Sequence, residues 1–416
     1  MKKILALTLV LAMTLSLAGC TKDSTNRRTT DLMGNINTHD LDVQPDRVTG
    51  AQAVTDFSVH LAQNSFKDGE NLLLSPLSVL CALAMTANGA KEQTLEQMED
   101  VLGMPIDEMN KYLFWYLSSL PQGEKYRLYP ANSIWFTADS RFTPKQDFLQ
   151  TTADYYDADI YCAPFDDSTC KDINNWVKKR TDGMIEEILH EMMPDAVMYL
   201  INALSFEAQW SSMYEEYAVR EGIFTKEDGS EQNAEMMYAT ECQYLADDLA
   251  TGFIKRYEGR SYAFAALLPR EGLSIKEYLQ SLTGEQLRFL LDNVQSTPVK
   301  TAIPKFETQY SAELSDVLSH MGVTDAFRPD RADFSALGTS TAGNIFISQV
   351  LHKTFLSVTE QGTRAGAVTV VEPTDSASIE PDKAQEVILD RPFVFLLIDC
   401  ENGVPFFIGV MMDLEQ

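Results

Sequence analysis

Apolar residues that recur every three or four positions mark the first elements of the chain. Ala53, Phe57, Leu61 and Ala62 line one face of a helix predicted over residues 49–65. Residues 67–70 are turn formers, 71–74 read as a short apolar strand, and Ser75-Pro76 supplies the cap and first-turn proline of a helix over 77–88. That helix is apolar almost all round, so it belongs in the middle of a core. Leu95, Met98 and Leu102 give a helix over 92–102 its buried face; 107–120 read as a surface helix, 126–136 as a strand and 145–156 as a helix. From Cys170 onward, Ile173, Trp176, Val177 and Arg180 mark another amphipathic helix, and 197–206 form the continuous apolar run of a strand covered on both faces. Further strand-like runs lie at 224–238, 242–244, 252–257, 262–268, 299–306, 346–358, 393–398 and 405–411, with helices at 273–282 and 284–291. No internal repeat or shift in composition divides this series, which predicts a single large α+β domain over 49–416.

One stretch breaks the pattern. From Thr363 every second residue (Thr363, Ala365, Ala367, Thr369, Val371) is small or β-branched and uncharged, as a strand face sliding into a sheet must be. Glu372, Pro373, Asp375, Glu380, Pro381 and Asp382 follow, loop formers that a sheet interior would exclude. A strand-competent segment joined to an exposed loop has two possible homes.

Composition narrows the partners. The 416 residues, 45% hydrophobic, can bury a large core. Against 33 Lys and Arg stand 61 Asp and Glu, a net charge of −28 that opposes binding to nucleic acid or an anionic membrane surface. Lys2 and Lys3 precede an apolar run over 4–17 that is too short to span a bilayer, so 1–20 read as a targeting segment. Its end, Leu17-Ala18-Gly19-Cys20, resembles a bacterial lipobox, which implies a lipid on Cys20 and an extracytoplasmic protein, or a secreted one if that site is not used. Residues 21–48, rich in Thr, Asn, Asp and Arg, read as a flexible tether. Cys81, Cys162, Cys170, Cys242 and Cys400 are odd in number and scattered; they read as buried free thiols rather than a disulfide framework or zinc site, with a Cys162–Cys170 pair left open.

Six motifs occur together in order: Asn71-Leu72-Leu73-Leu74-Ser75-Pro76-Leu77-Ser78, Asn202-Ala203-Leu204-Ser205-Phe206 with Trp210, Pro304-Lys305-Phe306, His352-Lys353-Thr354-Phe355, Glu360-Gln361-Gly362-Thr363 and Asp390-Arg391-Pro392-Phe393. Together they resemble the serpin family from about residue 50 to the end. The resemblance implies three β-sheets, eight or nine helices and an exposed reactive centre loop offered to a protease. It implies a suicide-substrate inhibitor of serine-type endopeptidases, not an enzyme: the protease forms an acyl-enzyme with the loop, and insertion of the cleaved loop into the main sheet disables it. The hinge would be Glu360, Gln361, Gly362, Thr363, Arg364, Ala365, Gly366 and Ala367, with Thr363, Ala365, Ala367, Thr369 and Val371 facing inward. Gln361, in place of a second acidic residue, and Gly366, within the usual alanine run, depart from the family pattern. Ser75, Ser78, Asn202 and His352 match the family's shutter beneath the parting sheet, and Trp210 its breach tryptophan. For each of these the plainer role of a satisfied core residue stays open.

Counting from Glu360 puts the reactive bond at Ser376-Ala377, while counting back from Pro392 puts it a few residues later. No Lys or Arg lies between Thr369 and Pro381, so small residues at the cut predict an elastase-like or subtilisin-like serine protease outside the cell, or a cysteine protease. The expected partners end there: a membrane only through the lipid on Cys20, no cofactor, no metal, no nucleic acid, no heparin-type activator, and a monomer. A non-inhibitory, substrate-like serpin acting as a surface binding lipoprotein is the alternative. A hydrolase is disfavoured, because Gly338-Thr339-Ser340-Thr341-Ala342 misses the nucleophile elbow at its last position and His190-Glu191-Met192-Met193-Pro194 lacks the second histidine of a zinc helix.

Overall fold

Helix Pro76–Ala87 is the piece on which the layers are stacked. Ser75 caps it by accepting from the Ser78 N–H, Pro76 occupies the first turn where no N–H is needed, and all twelve residues are buried. The computed structural model describes residues 29–138, 142–193, 195–341, 343–363 and 384–415. Above the helix lies a seven-stranded sheet in the order Thr30–Asp31, Asp159–Ala163, Tyr126–Thr137, Met198–Gln209, Gly362–Thr363, Gln349–Val358, Phe306–Glu313. Beside the helix runs Val404–Met411, in a six-stranded sheet with Leu72–Leu74, Phe393–Asp399, Tyr262–Pro269, Ala250–Arg256 and Tyr244–Ala246. A four-stranded sheet of Gln385–Ile388, Val299–Pro304, Glu231–Glu241 and Val219–Thr225 and a two-stranded ribbon of Gly338–Ser340 and Phe142–Pro144 complete the β-structure described. Nine α-helices occur among the described residues.

The continuous apolar run of Met198–Gln209 has its physical reason here. One face rests on the main core through Leu200, Leu204 and Phe206; the other carries Tyr199, Ile201 and Ala203 under helix Asp167–Arg180, with Trp135, Ile173 and Val177. Both faces are dry, so the strand needs no polar alternation.

Several expectations change. Residues 224–238 are not one strand but a hairpin of Val219–Thr225 and Glu231–Glu241, turned at Gly229 with φ +82°. The run 299–306 is cut at Lys305, whose N–H donates to the Glu235 carbonyl; the chain then leaves one sheet for another as Phe306–Glu313. Helix Ser315–Met321 and strand Gln385–Ile388 gave too short a periodic signal to be read. Cys242 is exposed, against the expectation of burial, and the Cys162 and Cys170 thiols donate to the Thr137 and Leu189 carbonyls rather than joining.

The largest correction concerns residues 21–48. From Thr29 onward this segment is docked rather than free. Thr30 and Asp31 pair with Cys162 and Tyr161 at the edge of the central sheet, and Leu32, Met33 and Ile36 pack on the core. His39 then donates its N–H to Asp154 at 2.8 Å, and helix Arg47–Ser65 begins at the cap Asp46, two residues ahead of the expected start. A strand of two residues has little periodicity to detect, and its partner is more than a hundred residues away. Replacing Leu32, Met33 and Ile36 together with serine should remove on the order of 2 kcal/mol of apolar burial and lower the melting midpoint by a few degrees. Limited proteolysis should then cut near residues 30–45 faster than in the wild type; equal rates and equal melts would show that the segment adds no stability.

Candidate functional site

Two parallel strands at the centre of the large sheet are joined at one end and parted at the other. Met198–Gln209 and Gln349–Val358 pair directly from Tyr199 opposite Gln349 to Leu204 opposite Thr354. Beyond Thr354 the direct pairing stops and a two-residue strand fills the gap: Gly362 lies opposite Gln209, and Thr363 lies opposite both Ala208 and Val358. Gly362 adopts φ +152°, and a Cβ there would sit 2.1 Å from the Ala208 carbonyl oxygen, so only glycine fits. Thr363 is fully buried, and its hydroxyl is 2.6 Å from the Tyr257 hydroxyl.

The turn that delivers these two residues is held by its carbonyls. Trp210 donates its ring N–H to the Thr359 carbonyl (2.8 Å) and its backbone N–H to that of Gln361 (2.9 Å); Tyr214 N–H donates to that of Glu360 (3.0 Å). Trp210 stacks on Tyr257 at 4.4 Å with an interplanar angle of 7°. The Glu360 carboxylate pairs with Lys305 at 3.0 Å, which also reaches Glu235 at 3.4 Å. Burial opposes charge on both partners of the closer pair; Glu360 and Glu235 nonetheless raise Lys305 above its ordinary value, and the hydrogen bond from its own backbone N–H, followed by Lys305, lowers Glu360 below its own.

At the joined end lies a buried polar stripe. Asn132, Asn202 and His352 stand opposite one another on three adjacent strands. His352 Nε2 accepts the Ser75 N–H at 3.1 Å, so Nδ1 carries the proton and donates to Asn202 Oδ1 at 2.5 Å. Burial pushes the His352 pKa down to about 3, which leaves the ring neutral. Ser78 Oγ donates to Asn132 Oδ1 (3.2 Å), and Thr354 Oγ1 donates to the Leu73 carbonyl (2.7 Å). Asn202 Nδ2 and Ser205 Oγ are buried with no hydrogen-bond partner among the described residues.

The structure therefore gathers Ser75, Ser78, Asn202 and His352 beneath the joined end and Trp210, Glu360, Gln361, Gly362 and Thr363 at the parted end. Arg364, Ala365, Gly366, Ala367, Ser376, Ala377 and Cys20 lie outside the described residues. Sequence reading missed Asn132, Tyr257, Lys255 and Glu235. Asn132 had a signal, an amide inside an otherwise strand-forming run; Tyr257 had none. Gly338–Ser340 is a ribbon strand, with no space for a Cβ at Gly338 beside the Thr143 carbonyl, and His190 is an exposed side chain. Among the described residues no cluster of metal ligands occurs, and no helix is long and apolar enough to cross a membrane.

Comparison with known proteins agrees with this geometry. A family model described as serpin (serine protease inhibitor) matches residues 52–414. A serpin-like protein of Thermococcus kodakarensis is 31% identical over 87% of this chain and 85% of its own length, and human Serpin B9 is 30% identical over 82% and 93%. Among solved structures, the thermophilic serpin tengpin in its native state superposes with a TM-score of 0.89 at 47% identity, covering 93% of this chain and 100% of that one. Its latent state superposes less closely, at 0.78 with 46% identity over 91% of this chain and 100% of that one. With Gly362 and Thr363 seated between two strands that part above Thr354, and a family match over residues 52–414, the chain belongs to the serpin family.

Proposed function

We propose that this serpin traps an extracellular serine protease by inserting its own cleaved loop into the central sheet. The observation that supports this reading is that Gly362 and Thr363 sit between the two parallel strands just where their direct pairing ends. The attacking protease serine would form an ester with the Ser376 carbonyl as the Ser376-Ala377 bond breaks and the new amine leaves. Continuing the antiparallel register of Thr363 with Ala208 would bring Ala365, Ala367, Thr369 and Val371 opposite Phe206, Leu204, Asn202 and Leu200. All four are uncharged, as a dry interior requires. Thr369 would arrive level with Asn202 and His352, where Asn202 Nδ2, without a partner among the described residues, has a donor to offer. Insertion of about 15 residues at roughly 3.3 Å each would carry the acylated protease some 50 Å. Each new ladder hydrogen bond would contribute about 0.5–1.5 kcal/mol to that movement. Tengpin, a relative, has been solved in a native and in a latent state.

Small residues from Thr374 to Ser378 suit the shallow pocket of an elastase-like or subtilisin-like enzyme. A lipid on Cys20 would hold the inhibitor at the outer surface of a cell. Because docking begins at Thr29, residues 21–28 alone would bridge the anchor and the domain, at most about 28 Å when extended. The domain would sit close to the membrane.

Incubation with elastase and with subtilisin should produce an SDS-stable complex, and the loop-cleaved protein should melt far above the intact one. Ala367→Arg, which places a charge in the inward set, should leave cleavage intact while raising the inhibitor consumed per protease at least about tenfold. Cleavage with neither complex nor stabilisation would make the protein a substrate instead.

His352 supplies a pH test of the lower stripe. Its folded pKa of about 3 lies below the ordinary 6.5, so an opened or unfolded chain binds a proton that the native one refuses. The penalty is absent above pH 6.5 and grows as pH falls toward 3, by up to about 1.4 kcal/mol per unit. The melting midpoint should therefore decline on acidification, and His352→Gln should flatten that decline; an unchanged slope would assign the acid sensitivity elsewhere.

A further inference from the structure

The segment from Trp210 to Tyr214 holds the hinge turn with three N–H groups, and one side chain holds that segment from below. Lys255, on strand Ala250–Arg256, has a side chain only 3% exposed. Its Nζ donates to the Ser212 carbonyl at 3.1 Å and pairs with Glu241 at 2.9 Å. The same ammonium lies 4.3 Å from the ring centroid of Tyr214 and 5.4 Å from that of Trp210. Alternate residues of the segment thus converge on one buried cation, and two of them, Trp210 and Tyr214, are the residues that grip the hinge carbonyls. The Tyr214 hydroxyl is buried with no hydrogen-bond partner among the described residues, so this aromatic contributes its face rather than its hydroxyl.

A cation taken out of water costs several kcal/mol unless its donors are satisfied, and here satisfaction comes from the segment that holds the hinge. Residues 211–215 carry no helix or strand of their own to keep them rigid. Their other main-chain tie to the sheet below is the Ser211 N–H donating to the Arg256 carbonyl at 3.1 Å. For residues beyond Thr363 to follow in the same register, the paired seam from Leu204–Thr354 downward must part, and a fixed segment that ties the end of strand Met198–Gln209 to the turn after Gln349–Val358 makes that parting harder.

We propose that Lys255 is a positioning residue that locks the 210–214 segment over the hinge and so slows insertion of the uncleaved loop. This rests on the reading of the chain as a loop-inserting inhibitor. Lys255→Met keeps most of the stem volume while removing the cation; Glu241, partly exposed, retains access to water. Lys255→Arg keeps the charge.

The test follows uncleaved full-length protein at elevated temperature, reading loss of elastase complex formation together with gain of heat and urea resistance. Lys255→Met should convert at least about tenfold faster than wild type, the effect of losing one or two charge-assisted contacts, and Lys255→Arg should recover most of the difference. Tyr214→Leu should also accelerate conversion, whereas Tyr214→Phe should stay within about twofold of wild type, because it keeps the ring beneath the cation. A merely structural role would lower the stability of the cleaved form equally, so unchanged melting of the cleaved variants is part of the expected result. If Lys255→Met does not fold, the two Tyr214 variants decide. Should wild type gain stability on loop cleavage while Lys255→Met and Tyr214→Leu convert at its rate, the assignment of Lys255 is overturned and the inserting mechanism stands. Should wild type gain none, the mechanism itself fails.

Discussion

The constraint on which the rest of this molecule depends is the pairing between two parallel strands that come from distant parts of the chain. Six rungs, from Gln349 with Tyr199 to Thr354 with Leu204, keep the sheet shut, and above them it is already open. A parallel pair left without its third strand satisfies fewer backbone groups than the sheet could hold. Gly362 and Thr363 are positioned at the mouth of this opening.

The two ends of this seam are held by different physics. At the mouth, the restraint is directional: three N–H groups meet three carbonyls, and an aromatic stack and an ion pair sit behind them. At the foot, neutral polar groups are packed in the dry, where each lost partner costs more than it would in water. Neutrality is what makes this workable, since burial keeps the His352 ring uncharged. The amide of Asn202 spans the seam with one atom satisfied and one not, so that position can take another hydrogen bond without giving one up.

The outer edge of the same sheet is covered by the N-terminal segment. Thr30 and Asp31 extend the ladder beside Asp159–Ala163, which would otherwise present unpaired backbone groups.

Much of the architecture was legible in the order of residues. Helices with a full apolar face, such as Pro76–Ala87 and Glu92–Leu102, and dry strands, such as Met198–Gln209, declare themselves because burial is periodic and local. Of the small, uncharged alternation from Thr363, only Thr363 itself falls among the described residues, where it stands in a two-residue strand. Thr30–Asp31 and Ser315–Met321 escaped, since they owe their form to partners far along the chain. So did the junction at Lys305, where one apolar run divides between two sheets. Residue types alone indicated which side chains are polar and which are small. Where Asn132, Asn202 and His352 share one level, how Tyr257 meets Thr363, and why a lysine lies under Trp210 follow from strand register, a long-range property that no local pattern encodes.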